Sequence, residues 1–176
     1  VELLRRGYHL LDELNVCPLG GAAGFWVPLD TDPDYVSHLL GFSRRHLNPM
    51  NGNNSRWRYE LRAVTFAKEI ASMLEKFSVD IMLWQTTEYN FWTLPDEYST
   101  WSSIMPQKRN LDIAELLRAR WSKIQWAFTE LSSVLAKLPS SYHRDFQYSK
   151  EPLIRTNEEL IAMIKMGDLI VKNLIL

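Results

Sequence analysis

Apolar residues recur at spacings of three and four along most of this chain, and the longest such run covers 56–84. Val64, Ala67, Ala71, Leu74, Phe77 (with Ser78) and Ile81 form one stripe, widened by Ile70 and Met73. Lys68, Glu69, Glu75 and Lys76 hold much of the remainder. That period describes one face of an α-helix. At ~1.5 Å per residue, about 28 residues span about 40 Å, a length suited to a helical bundle rather than a compact α/β domain.

A second helical run at 112–138 carries Ile113, Leu116, Leu117, Ile124, Phe128, Leu131, Leu135 and Leu138, and Pro139 stops it. Residues 2–14 place Leu3, Leu4, Leu10, Leu11 and Leu14 on roughly one helical face. A short helix is expected over 31–42, begun by Thr31 and Asp32 with Pro33 in its first turn and ended near Gly41. Thr156-Asn-Glu-Glu159 fits a capping box that opens a last helix with Leu160, Ile161, Ile164, Leu169 and Ile170. The stretches 15–30, 43–55, 85–111 and 139–156 are polar or rich in Gly and Pro and read as loops. His46, in the polar stretch, reads as an exposed loop histidine, with a ligand or base as the alternative. No stretch alternates with the period of a strand, and there are no repeats. The expected fold class is all-α, an elongated bundle of long antiparallel helices with little or no sheet.

Composition narrows the partners. Lys plus Arg is 20 and Asp plus Glu is 21, so net charge argues for neither nucleic acid nor a membrane surface. There is no long uncharged apolar run and no basic-then-apolar leader, and the lone Cys17 suits a reducing compartment, so a cytoplasmic location is expected. The chain opens on Val1 inside a helical run and closes on an apolar helical run without a stop signal. Residues 1–176 therefore read as one domain, the central helical part of a longer protein. Apolar faces of the two long helices are expected to be covered by other copies.

The candidate chemistry lies in Ser-Thr-Trp-Ser-Ser-Ile-Met-Pro-Gln-Lys-Arg-Asn, residues 99–110, just before the helix at 112. Small hydroxyls and Pro106 mark a loop. It delivers Ser102, Ser103, Lys108 and Asn110 close to a helix N-terminus, where unpaired N–H groups favour anions. A hydroxyl can lose its proton there, and a carboxylate can be held; an ordinary hydrophilic connection is the alternative.

The order Ser-Ser-Ile-Met-Pro-Gln-Lys-Arg-Asn closely resembles the signature loop of the fumarase/aspartase superfamily, Gly-Ser-Ser-x-Met-Pro-x-Lys-x-Asn. Three further segments are similar to the argininosuccinate lyase family, which also gave rise to the delta-crystallins. They are Pro18-Leu-Gly-Gly-Ala-Ala-Gly24 with Pro28-Leu-Asp30, the short Asn54-Ser55-Arg56 with Tyr59 and Glu60, and Tyr142-His-Arg-Asp-Phe-Gln-Tyr-Ser-Lys-Glu-Pro152. The resemblance covers nearly the whole chain. It implies elimination of fumarate from argininosuccinate to give arginine, a homotetramer built on a central helical bundle, and active sites combining segments of three subunits. It implies no cofactor and no metal. Ser102 then matches the catalytic base, Lys108 and Asn110 the residues that hold the substrate carboxylate, and Glu115 the glutamate that pairs with a catalytic histidine upstream of Val1. Ser103, Tyr142, Gln147 and Lys150 match substrate-binding positions, as do Asn54, Ser55 and Arg56 from the shorter similarity.

Two substitutions depart from that pattern: Trp101 replaces the glycine before the serines, and Leu111 replaces the proline after Asn110. Trp26, Trp57 and Trp126 also fall where relatives commonly have glycine. UGA codons read as tryptophan would explain all four, and divergence toward an inactive, crystallin-like structural homologue is the other account. Another lyase of the superfamily, such as adenylosuccinate lyase, is a further alternative, disfavoured by the 142–152 segment.

Overall fold

A computed structural model describes residues 1–22, 27–105 and 108–175. Helices dominate: α1 (Glu2–Leu14), α2 (Pro33–Leu39), α3 (Pro49–Asn54), α4 (Arg56–Trp84), α5 (Asp112–Leu135) and α6 (Lys150–Asn173). Among the described residues, four two-residue strands accompany them. β1 (Val16–Cys17) pairs in parallel with β2 (Arg44–Arg45), and β3 (Thr100–Trp101) pairs antiparallel with β4 (Arg109–Asn110). The described residues group into two compact units, Val1–Phe66 with Phe128–Leu153, and Ala67–Ala127 with Ile154–Leu176.

In the second unit the core is three-helical. Ala71 and Ile81 of α4, Ala114, Leu117 and Ile124 of α5, and Met163 and Ile170 of α6 are at most 1% exposed. Alanines at these contacts let backbones approach, and each fully buried Leu or Ile contributes roughly 1.5–3 kcal/mol. Ser78 joins the stripe because its hydroxyl is satisfied by Glu75 O at 2.7 Å. Leu116, by contrast, stands outside the core, as do Ile161, Ile164 and Leu169 of α6.

The core of the first unit is smaller. Val64, Leu131, Leu135 and Phe146 are buried, with Trp57, Leu61, Phe128 and Leu153 packed on them. Leu3, Leu10 and Leu14 of α1 are half-buried, whereas Leu4 and Leu11 are exposed, so its five leucines do not share one buried face. Gly7 packs closely on the Phe66 ring, where an added Cβ would come within 3.1 Å and oblige the ring to shift.

Local signals account for several boundaries. The Asp32 carboxylate accepts from Tyr35 N at 2.9 Å, and Pro33 follows at the first helical position, so α2 starts as its sequence dictates. Asn48 and Pro49 do the same for α3, which turns part of the expected 43–55 loop into helix. The last helix departs from expectation. It begins at Lys150, with Pro152 inside its first turn, where a missing N–H costs nothing. Thr156 is therefore an interior residue, 1% exposed with its hydroxyl unpartnered among the described residues, and not a cap.

Candidate functional site

The serine loop is a tight hairpin in the second unit. Thr100 pairs with Asn110 and Trp101 with Arg109, and the turn is closed by Ser102 N to Lys108 O at 3.2 Å and Lys108 N to Met105 O at 2.9 Å. Inside the turn the Ser102 hydroxyl oxygen accepts backbone N–H groups from Met105 at 3.1 Å and Ile104 at 3.3 Å. Such donors favour a developing negative charge on that oxygen. The expected donors at the start of α5 are differently used. Asp112 takes the hydroxyl of Thr100, and the N–H groups of Ala114 and Glu115 go to Leu111 O. Ser102 is half-buried and Ser103 exposed. Pro106 and Gln107 lie outside the described residues.

Beside the hairpin is an open cleft of about 560 Å³, and Lys108, Asn110 and Glu115 line it together. Lys108 is exposed, and its ammonium has no partner among the described residues. Arg109 is committed elsewhere, paired with Asp96, donating to Leu94 O at 3.1 Å and lying 5.5 Å from the Trp101 ring centroid. The lining also includes the turn after α4: Gln85, Thr86, Thr87 and Glu88. The Glu88 carboxyl is held below its usual range by its own backbone N–H and by the hydroxyls of Thr86 and Thr87. Gln85 Oε1 is buried without a donor among the described residues. A cleft lined by a cation, amides and carboxylates suits a ligand carrying both carboxylate and N–H donor groups. Sequence reading missed the Gln85–Glu88 wall; its signal was the switch from apolar stripe to consecutive polar residues at the end of α4.

The other expected residues gather in the first unit. Arg56 lies over the rings of Tyr142 and Phe146, 5.4 and 5.8 Å from their centroids, and Gln147 Nε2 donates to the Tyr142 hydroxyl at 3.0 Å. Asn54 Oδ1 accepts Ser141 N at 2.8 Å, fixing the approach of that segment. Lys150 opens α6 and is exposed. Glu60, one turn beyond Arg56, is pushed up by burial, against the opposing pull of its backbone N–H, Arg56 and Ser149. Ser55 plays a structural part here: it is 1% exposed, and its hydroxyl donates to Asn51 Oδ1 at 3.2 Å and accepts from Arg58. His46 is not the exposed loop residue expected. It is half-buried, with Asn51 at 3.1 Å from Nδ1 and the Tyr59 hydroxyl 3.4 Å from Nε2.

Of the Gly-rich segment, Ala23 to Trp26 lie outside the described residues; Gly20 adopts φ +96°, and a Cβ there would strike Pro33 at 2.6 Å. No group of three or more potential metal ligands occurs among the described residues, and no helix there is long and apolar enough to cross a membrane.

A family model described as lyase matches residues 2–125. The chain is 39% identical over 174 residues to an argininosuccinate lyase of Sorangium cellulosum (strain So ce56), covering 99% of this chain and 40% of that protein. It is 41% identical over 158 residues to an argininosuccinate lyase of Xylella fastidiosa (strain 9a5c), covering 90% and 35%. Among solved structures, EDDS lyase in complex with formate superposes with a TM-score of 0.88 at 28% identity, over 98% of this chain and 34% of that one. The chain thus spans about two fifths of the length of the curated relatives it matches.

Proposed function

The chain belongs to the lyase family of the fumarase/aspartase superfamily, an all-α helical-bundle fold, and from that membership we propose that it is the central helical part of an argininosuccinate lyase. The observation that carries this reading is 39% identity to such an enzyme across 99% of the chain. The full-length protein would eliminate fumarate from argininosuccinate and release arginine. Its substrate carries carboxylates together with guanidino and amino groups, the mixture of acceptors and donors that the cleft beside the serine hairpin complements.

In this reading Ser102 removes the proton next to a substrate carboxylate. The resulting dianion is stabilised by the ammonium of Lys108, with Asn110 holding the carboxylate. Before Ser102 can act, its hydroxyl must itself be deprotonated, and the N–H groups of Ile104 and Met105 favour that by donating to the charged oxygen. Glu115, at the first turn of α5, orients the histidine that the family supplies from outside this chain. Ser103, Tyr142, Gln147, Lys150, Asn54 and Arg56 bind other parts of the substrate, and Ser55 holds Arg58 and Asn51 in place behind them. Assembly is a homotetramer in the cytoplasm with sites shared between subunits; exposed Leu116 and Trp126 on α5, and exposed Ile161 and Ile164 on α6, support burial against other copies.

One observation favours a second reading, a non-catalytic structural homologue: the indole of Trp101, 53% exposed, adjoins Ser102 on a hairpin that the reaction needs to move. The test is fumarate release, followed by ultraviolet absorbance, from the full-length protein given argininosuccinate. Turnover of adenylosuccinate instead would reassign the enzyme within its superfamily, and turnover of neither would favour the structural homologue.

A further inference from the structure

A cleft of about 390 Å³ in the first unit contains positive charge that its own carboxylates do not balance. It is lined from the end of α1, from β1 and β2, and from the starts of α3 and α4, and it shares no residue with the serine hairpin. Four arginines reach it. Three have a carboxylate each: Arg44 with Asp12 at 3.5 Å, Arg45 with Asp34 at 2.7 Å, and Arg62 with Glu13. Arg58 has none. Its Nη2 donates to Ser55 Oγ at 2.8 Å, its guanidinium lies 5.4 Å from the Tyr59 ring centroid, and its Nε–H is buried without an acceptor among the described residues.

Arg58 is half-buried, and a partly desolvated guanidinium without a counter-charge is costly, to which the buried Nε–H without an acceptor adds. The surroundings supply donors but no further anion: the side-chain amides of Asn48 and Asn51, the Tyr59 hydroxyl and the ring of His46. Burial, with the charges of Arg58 and Arg44, keeps the His46 pKa below its ordinary value, so the ring adds little charge of its own near neutral pH. What this arrangement lacks is a small anion that accepts hydrogen bonds. We propose that the cleft is a binding site for a carboxylate or phosphate group, with Arg58 as its counter-charge and Asn48, Asn51 and Tyr59 as further donors. This site is independent of the lyase reading.

The experiment uses full-length protein carrying Lys108→Ala, which removes the cation of the serine-hairpin cleft from the measurement. Isothermal titration at fixed ionic strength is run with succinate in one arm and inorganic phosphate in the other. At least one is expected to saturate a single site per chain, and Arg58→Gln is expected to weaken it about tenfold or more, the scale of a charge-assisted pair. Arg58→Lys retains charge without the planar fork and should fall between the two. Melting curves establish that each variant is folded; should Arg58→Gln not fold, Tyr59→Phe and Arg58→Lys carry the comparison, each expected to lower affinity several-fold. Binding of succinate alone identifies a carboxylate ligand, and binding of phosphate alone a phosphoryl one. Failure of both anions to saturate, or affinities that no variant alters, would overturn the assignment.

Discussion

Ser102→Ala in the full-length protein is the sharpest test of the serine hairpin. The perturbation removes one oxygen, and with it the acceptor for the N–H groups of Met105 and Ile104 at 3.1 and 3.3 Å. If that oxygen becomes an alkoxide in the reaction, both bonds turn charge-assisted. A neutral bond is worth about 0.5–1.5 kcal/mol and one to a charged group about 1.5–3, so the change is about 1 kcal/mol per bond and about 2 kcal/mol for the pair. That favours the ionised oxygen, useful help for a hydroxyl that otherwise stays protonated near neutral pH. Losing the base should lower kcat by about 10²–10⁴-fold while KM changes by less than about threefold, because the oxygen acts in the transition state. The assay is the initial rate of fumarate release across a range of argininosuccinate concentrations, with melting curves showing that the variant is folded. A folded Ser102→Ala variant retaining kcat within a factor of about three would refute both the role and the reasoning from loop geometry.

Three other outcomes are expected. Glu159, half-buried, holds Arg120 and, at 2.6 Å, Lys123; burial raises its pKa but the hydrogen bonds and charges of these partners outweigh that and hold it below 4.5. The native state then binds fewer protons than the unfolded chain, so this stabilisation is present above about pH 4.5 and is lost as pH falls through the folded pKa; Glu159→Gln should cost about 1–2 kcal/mol at neutral pH and flatten that acid limb in denaturant titrations. Ile124→Ala, at a position 0% exposed in the second unit, should cost about 2–5 kcal/mol by the same measurement, and a loss under about 1 kcal/mol would mean that the site collapses or is not packed as described. For Trp101, a peptide mass across residues 99–108 of the native protein decides between an encoded indole and a misread glycine; if the indole is encoded, Trp101→Gly should raise kcat by freeing the hairpin.

Most of the fold was legible because long helices announce themselves by period. α4 occupies 56–84 as its stripe indicated, and five positions of that stripe, Val64, Ala67, Ala71, Ser78 and Ile81, are buried. Its failures came where a short-range signal competed with a longer one. Thr156-Asn-Glu-Glu159 has the composition of a cap, yet the helix already begins at Lys150, six residues before Thr156, because Pro152 is tolerated in a first turn. Two-residue strands carry no alternation to detect. The β1–β2 pair exists because Val16 and Cys17 are buried and their backbone groups must find partners, which Arg44 and Arg45 provide.

The candidate site was legible in its residue types and not in its geometry. Motif order singled out Ser102, Lys108 and Asn110, and the general rule about helix N-termini then offered a reason for them. The structure supplies a different one: the donors to Ser102 come from the residues two and three places further along the same turn. A turn that folds its own N–H groups onto a side-chain oxygen depends on backbone dihedrals, which residue spacing does not encode. The same limit hid the role of Ser55. Beside Asn54 and Arg56 it looked like a substrate contact, but its hydroxyl is sequestered between Asn51 and Arg58. Polar residues that bind ligands and polar residues that position them have the same composition. They are told apart by which way the helix turns them, and at the start of α4 it turns Arg56 toward the Tyr142 ring and Ser55 toward Arg58.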